Sequence, residues 1–295
     1  MKIVITGSLG NISKSLAEKL LREKHDITVI SSNPRKQEDI KILGAIPAIG
    51  SVEDDKFLTK IFTGADAVYC MIPPNFKEID QISYYKRIGE SYAGAIAAAG
   101  IKRLIHLSSY GAHLSKGTGF ITGSYEVEQL FNQLQNLQVT HIRPGFFYYN
   151  LYRYIDMIKE IGCIGTNFGQ EDRLILVSPY DIAMVISEEL VKTGSIERVR
   201  YVASDERTCN EIASVLGEAI GMAGLTWEYI DDQTVMKKLI NSGMPASAAE
   251  ALVELGAATH KGLLREDIDI HPPRFGRVKL EEFAKEFARV YHSRT

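Results

Sequence analysis

Short apolar runs alternate with amphipathic stretches through the first half of the chain. Residues 2–5 read as a strand, and over residues 12–23 the apolar side chains Ile12, Leu16, Ala17, Leu20 and Leu21 recur at helical spacing. The same alternation predicts further strands at 26–31, 45–49, 67–72, 103–107 and 139–143, and helices at 36–43, 53–62, 79–99 and 124–135. Pro73-Pro74 stops the fourth strand, Gly100 ends the long helix and Pro144 closes the sixth strand. Each strand is nearly all apolar, as required when helices cover both faces of a sheet. With right-handed crossovers, this βαβαβ pattern made twice predicts an α/β fold with a doubly wound parallel sheet, a Rossmann arrangement.

After about residue 146 the pattern changes. Helices are expected at 147–161, 179–191, 209–220, 233–241, 246–255 and 280–292, with short strands at 174–177, 200–203 and 226–229. The expected division is a sheet-bearing domain over 1–145 and a smaller, mostly helical lobe over 146–295 that closes a cleft. Some strands of that lobe are free to return to the main sheet. Residues 270–276 read as a cleft-closing loop.

Charge narrows the partners. With 34 basic and 37 acidic side chains the net charge is -3, which gives no electrostatic case for nucleic acid or an anionic membrane. No apolar run reaches bilayer length. Met1-Lys2 runs straight into core strand, which leaves no room for a leader, and the cytoplasm is the expected compartment. Cys70, Cys163 and Cys209 form no CxxC pair, and the seven histidines show no ligand spacing, so no metal site is expected. Cys70 and His106 lie in apolar strands and read as core residues.

The turn between the first strand and helix carries the first chemistry. Thr6-Gly7-Ser8-Leu9-Gly10-Asn11-Ile12-Ser13 sits where a helix N-terminus offers unpaired N–H groups to a pyrophosphate. Gly7 permits the tight turn, and Gly10 lets the backbone approach phosphate without a Cβ in the way. Ser13 replaces the third glycine of the usual fingerprint. Its position directly after the first strand makes the pattern specific for a dinucleotide. The second strand ends Ile30-Ser31-Ser32-Asn33-Pro34-Arg35-Lys36, with no acid to hold a ribose 2′-hydroxyl. Hydroxyls, an amide and two cations suit a 2′-phosphate instead, so NADP(H) is expected in preference to NAD(H), with NAD(H) also admitted.

These motifs, with Gly64-Ala65-Asp66-Ala67-Val68, Lys102-Arg103-Leu104-Ile105 before Ser108-Ser109, and Arg143-Pro144-Gly145-Phe146-Phe147, resemble the NmrA-like branch of the atypical short-chain dehydrogenase/reductases. Tyr180-Asp181-Ile182-Ala183 and Asn210-Glu211-Ile212-Ala213 extend the resemblance into the second half. It implies that Gly7, Ser8, Leu9, Gly10, Asn11 and Ile12 cradle the pyrophosphate. It further implies Asn33 and Lys36 near the 2′-phosphate, Ile72 and Pro73 beside adenine and ribose, and Pro144, Gly145 and Phe146 beside nicotinamide; Ser32 and Arg35, from the residues themselves, join the 2′-phosphate candidates.

The chain departs from those relatives at the chemistry. Active reductases of the superfamily carry Tyr-x-x-x-Lys; here Tyr125 is followed four residues later by Gln129, and no lysine occurs from 117 to 158. Where many NmrA-like members keep a lysine four residues before a glutamate, Glu128 is present and the lysine position is Ser124. An arginine common after the second strand is Ser32. Ser108 and Tyr125 are the remaining catalytic candidates; Ser108 either meets a ligand or caps a strand end. The aromatic run at 146–149, with Tyr152 and Tyr154, either walls a pocket or fills core. Two functions are expected. One is an NAD(P)H-dependent oxidoreductase passing hydride to a small conjugated acceptor such as a quinone; the other is a non-catalytic NADP(H) redox sensor with a regulatory protein partner.

Overall fold

In the computed structural model, which describes residues 1–73, 75 and 78–294, the apolar runs form strands and the periodic stretches form helices. The first half of the alternation is β1 (Lys2–Ile5), α1 (Ser13–Arg22), β2 (Asp26–Ser31), α2 (Gln37–Leu43), β3 (Ile46–Ile49) and α3 (Asp55–Phe62). The second is β4 (Ala67–Cys70), α4 (Gln81–Ala99), β5 (Arg103–Leu107), α5 (Ile121–Asn132) and β6 (Gln138–Pro144). Then follow β7 (Phe146–Phe147), α6 (Ile155–Ile161), β8 (Cys163–Thr166), β9 (Arg173–Val177), α7 (Pro179–Val191) and β10 (Val199–Val202). The rest is β11 (Asp205–Thr208), α8 (Cys209–Ile220), β12 (Thr226–Tyr229), α9 (Asp232–Asn241), α10 (Ala246–His260), α11 (Glu266–Ile270) and α12 (Leu280–Ser293). Pro74, the second residue of the double-proline stop, lies outside the described residues.

Seven strands form one parallel sheet in the order β10-β6-β5-β4-β1-β2-β3. The strand order reverses between β1 and β4, and a crevice opens at the carboxyl ends there. The seventh strand comes from beyond residue 146: β10 pairs with β6, registering Val199 with His141. α7 returns with it, burying Ile182, Ala183, Ile186 and Leu190 against α1 and the sheet. Residues 179–202 therefore supply a helix and a strand to the main sheet, the return that strands of the second half were free to make. A second core gathers Trp227, Ile212, Leu216, Phe283 and Phe287 from α8, β12 and α12.

Three local differences from the sequence pattern have physical causes. The expected helix over 147–161 is a two-residue strand, a 3-10 segment over Tyr148–Tyr154, and then α6. Its consecutive aromatics serve two environments: Tyr148 and Tyr154 enter the second core, and Phe147 and Tyr149 face the crevice. β11 carries Asp205, Glu206 and Arg207, too polar for an apolar-run signal, and β8 is only four residues long. The 270–276 segment does not close the crevice. Gly276 N–H donates to Ala203 O at 2.7 Å, and a Cβ on Gly276 would stand 2.3 Å from the Asp181 carboxylate, so the segment is clamped beside β10.

His106 and His141 form a buried pair between β5 and β6, Nδ1 to Nδ1 at 3.1 Å, and His141 Nε2 lies 3.2 Å from Asn132 Oδ1. If His141 Nε2–H donates to Asn132, then His141 Nδ1 accepts from His106 Nδ1–H, and both rings are neutral. Burial, and for His106 the neighbouring His141, push both down to about 3. The unfolded chain takes up these protons first, so stability is fully present above the ordinary histidine range and lost as pH falls through it. Unfolding should become easier by about 1.4 kcal/mol per pH unit for each histidine below about pH 6. Urea midpoints across pH should show this slope, and His106→Leu should reduce it.

Candidate functional site

The phosphate-binding turn is held from three sides. Thr6 N–H donates to Tyr69 O (3.1 Å) and Ser8 N–H to Ile30 O (3.0 Å), so the turn is tied to β4 and β2. Met71 N–H donates to Thr6 Oγ1 at 2.9 Å. Ser13 Oγ donates to Thr6 O at 2.9 Å, so the residue in the third-glycine position closes the turn. Gly7 has φ +89, and a Cβ there would stand 2.8 Å from Ser13 Oγ. No side chain caps the N-terminus of α1. That N-terminus stands at the crevice, whose lining includes Gly7, Ser8, Gly10, Asn11, Ile12 and Ser13.

The crevice has a volume of about 810 Å³ and runs past the ends of β1, β2, β3, β4 and β5. Ser32, Ile72, Pro73 and Ser108 also line it, as do Gly50 and Glu53 after β3. Leu9 instead packs against the core beside β1. Asn33, Arg35 and Lys36 follow Ser32 outside the lining: Asn33 Oδ1 accepts from Arg35 N–H at 3.0 Å, and Lys36 pairs with Asp39 at 3.0 Å. Arg35 is exposed and makes no ion pair among the described residues.

Pro144, Gly145 and Phe146 do not line the crevice; Phe147 and Tyr149 do, with rings stacked at 4.9 Å. Gly145 is a packing glycine. Its Cβ would stand 2.3 Å from Ile175 O, so any side chain there would drive the junction of β6 and β7 from β9. Tyr125 also lies outside the lining, because α5 turns Ile121 and Ser124 toward the crevice. Sequence reasoning missed Tyr84 and Tyr85 on α4 and Tyr69 on β4, which line the crevice with Tyr149. Their signal was only their position at strand ends and on a helix of mixed pattern.

Ser108 is embedded in a buried polar chain. Its Oγ donates to Glu128 Oε1 at 2.5 Å. Arg143 grips the same carboxylate twice, Nε to Oε1 at 2.9 Å and Nη2 to Oε2 at 2.6 Å, and reaches Tyr201 OH at 2.9 Å and Asp267 at 3.0 Å. Burial alone would lower Arg143, but the Glu128 hydrogen bonds and charge raise it overall. The hydroxyl proton of Ser108 is thus committed to Glu128, and only its lone pairs are offered to the crevice.

No lysine, arginine or histidine lines the crevice among the described residues. Burial pushes the phenols up: Tyr149 to about 12, Tyr84 also to about 12 with help from Glu53, and Tyr69 and Tyr85 likewise upward. Tyr84 OH already donates to Pro73 O at 2.8 Å. The site can hold an extended anionic ligand on backbone amides and stack a ring on Phe147 and Tyr149, and its described lining residues include no activated proton donor. Buried Cys70, its thiol raised by burial, offers no nucleophile.

Among the described residues, no three His, Cys, Asp or Glu side chains gather as a metal cluster, and no helix is long and apolar enough to cross a membrane. The family model described as the NmrA-like family matches residues 1–273. An NAD(P)H azoreductase of Xenophilus azovorans is 24% identical over 292 residues, covering 98% of this chain and 99% of that one. An NADPH-dependent quinone oxidoreductase of Escherichia coli, solved with NADPH, superposes with a TM-score of 0.80 at 20% identity, over 96% of this chain and 99% of its own. A Citrobacter sp. triphenylmethane reductase complexed with NADP(H) also gives 0.80, at 19% identity, over 97% and 100%.

Proposed function

The chain belongs to the NmrA-like family, and from that premise we propose that it is an NAD(P)H-dependent oxidoreductase, preferring NADP(H), that reduces a small conjugated acceptor such as a quinone. Relatives named as azo, quinone and dye reductases support this reading. The crevice fits a dinucleotide: a glycine cradle, an uncapped helix N-terminus and about 810 Å³ of space lie in line. Gly7, Ser8, Gly10, Asn11 and Ile12 would hold the pyrophosphate, and Ser32 with exposed Arg35 the 2′-phosphate side. When bound, the dinucleotide supplies the hydride. Beyond residue 146, Phe147 and Tyr149 wall one side of the crevice, while α7 and β10 belong to the main sheet.

The observation that carries the reaction type is that no activated acid stands among the described lining residues. Ser108 donates its proton to Glu128 and so has none for a ligand, and every lining phenol with a resolved shift is pushed upward. An acceptor that spreads its developing charge by conjugation needs little help from an acid. Phe147 and Tyr149 orient a ring, so approximation supplies most of the barrier lowering. Tyr125→Phe should therefore leave turnover within about 3-fold of wild type, because Tyr125 is outside the lining. A large loss with cofactor affinity intact would show a working acid.

Arg35→Glu tests the cofactor preference. NADPH should bind about 10-fold more weakly, equal to about 1.4 kcal/mol, with NADH affinity little changed. Isothermal titration with both cofactors measures it, and equal losses for the two would remove Arg35 from the 2′-phosphate site.

A further inference from the structure

β4 sends its side chains alternately to the two faces of the sheet. Val68 and Cys70 enter the core beneath α3 and α4, while Ala67 and Tyr69 enter the core that α1 and α7 share with Phe147. Tyr69 is 0% exposed, yet its hydroxyl has no hydrogen-bond partner among the described residues. Such a group gives up its bonds to water and gains none in return, which folded cores seldom carry. Phenylalanine would fill the same core without that loss. The open space that Tyr69 borders is the crevice, beside the phosphate-binding turn whose Thr6 N–H donates to Tyr69 O.

Other hydroxyls of the lining are already spent. Ser8 Oγ donates to Ser31 Oγ at 2.9 Å, Ser13 Oγ to Thr6 O, Ser108 Oγ to Glu128 and Tyr84 OH to Pro73 O. The proton of Tyr69 is unspent and firmly held. Burial, then Cys70 and Tyr149, push this phenol far above its ordinary range, so it stays neutral at any working pH. It is a poor acid and an intact hydrogen-bond donor.

Resting on the reductase reading above, we propose that Tyr69 OH donates a hydrogen bond to a carbonyl oxygen conjugated to the ring held against Phe147 and Tyr149. The surroundings select a neutral oxygen. Met71, Leu107 and Phe147 share this face of the sheet and line the crevice with Tyr69. An apolar setting of that kind desolvates a phosphate at high cost and a carbonyl at little. Two ligands carry such an oxygen: nicotinamide in its carboxamide, and a quinone in its ring. In the carboxamide case the bond fixes the face of the nicotinamide. In the quinone case the acceptor gains one hydride with its electron pair, the nicotinamide is oxidised, and a hydroquinone monoanion forms. Its charge lies on the oxygen that Tyr69 contacts, the O–H bond of Tyr69 stays whole, and water supplies the proton after release.

Tyr69→Phe tests this by isothermal titration, menadione reduction and thermal unfolding. The titrants are NADPH and 2′-phospho-ADP-ribose, which keeps both phosphates and both riboses and lacks nicotinamide. The variant should unfold at or above the wild-type temperature and bind 2′-phospho-ADP-ribose as wild type does. A loss of about 10-fold in NADPH affinity assigns the oxygen to the carboxamide. Unchanged NADPH affinity with kcat/KM for menadione about 10-fold lower assigns it to the quinone. Three results overturn the proposal. An equal loss for 2′-phospho-ADP-ribose puts the hydroxyl on a phosphate or ribose. A lower unfolding temperature gives it a partner within the chain. No change in NADPH affinity or menadione turnover leaves it without a ligand. If wild type binds NADPH and reduces no acceptor, the reductase reading falls and the two titrants still decide: weaker NADPH alone upholds the contact, and unchanged NADPH overturns it.

Discussion

A Gly10→Leu variant should lose measurable affinity for both NADPH and NADH while unfolding at the wild-type temperature. Gly10 is exposed, its φ lies outside the left-handed region, and a Cβ there would meet only Gly7 O, at 3.0 Å. The fold can accept a side chain with a shift of a few tenths of an ångström. The crevice cannot, because Gly10 lines it at the uncapped start of α1, where a pyrophosphate needs the backbone bare. The loss should be on the order of 100-fold or more, equal to about 2.7 kcal/mol. Gly7 would be the poorer test, because φ +89 and the contact with Ser13 would strain the turn itself. Titration and thermal unfolding on the same sample separate the two effects, and unchanged affinity would move the dinucleotide out of this turn.

The second large effect belongs to Glu128→Ala. Glu128 is 2% exposed and holds Arg143 by two hydrogen bonds and Ser108 by one. Without it, the buried guanidinium keeps only Tyr201 and the partly exposed Asp267. Leaving such a charge uncompensated typically costs about 3–5 kcal/mol. Urea unfolding should show a loss of that order, with Asp267→Asn costing much less, because water reaches that partner. A loss below about 1 kcal/mol would mean that solvent enters and that the chain is not a closed buried network.

The sheet was legible because its strands are apolar on both faces, and β5 occupies the span its pattern predicts, Arg103–Leu107. The returning strand β10 was visible as a short run, but nothing in four residues says which sheet edge it joins. Its place beside β6 follows from α7 packing on α1, a contact between distant segments. At the site, Gly7, Ser8, Gly10, Asn11 and Ile12, singled out by a local pattern, lie in the crevice lining. The segment 144–146 lies outside it. Gly145 looked like a ligand glycine, yet Ile175 O explains it, and the crevice is faced by Phe147 and Tyr149 two and four residues on. Tyr125 stood out because a family pattern names that helix, while Tyr84, Tyr85 and Tyr149 converge from elements that share no sequence spacing. Ser108 remained open between two readings because its role turns on Glu128, twenty residues away.

The most direct test of the central claim is oxidation of NADPH by the purified protein with menadione as acceptor, followed by the loss of reduced-nicotinamide absorbance. The account predicts oxidation that depends on acceptor, saturates with its concentration and disappears in Gly10→Leu. If NADPH binds but no acceptor in a panel of quinones, dyes and small carbonyls is reduced, while NADPH and NADP⁺ give different protease-protection patterns over residues 146–294, the protein is a redox sensor and the enzymatic reading is contradicted.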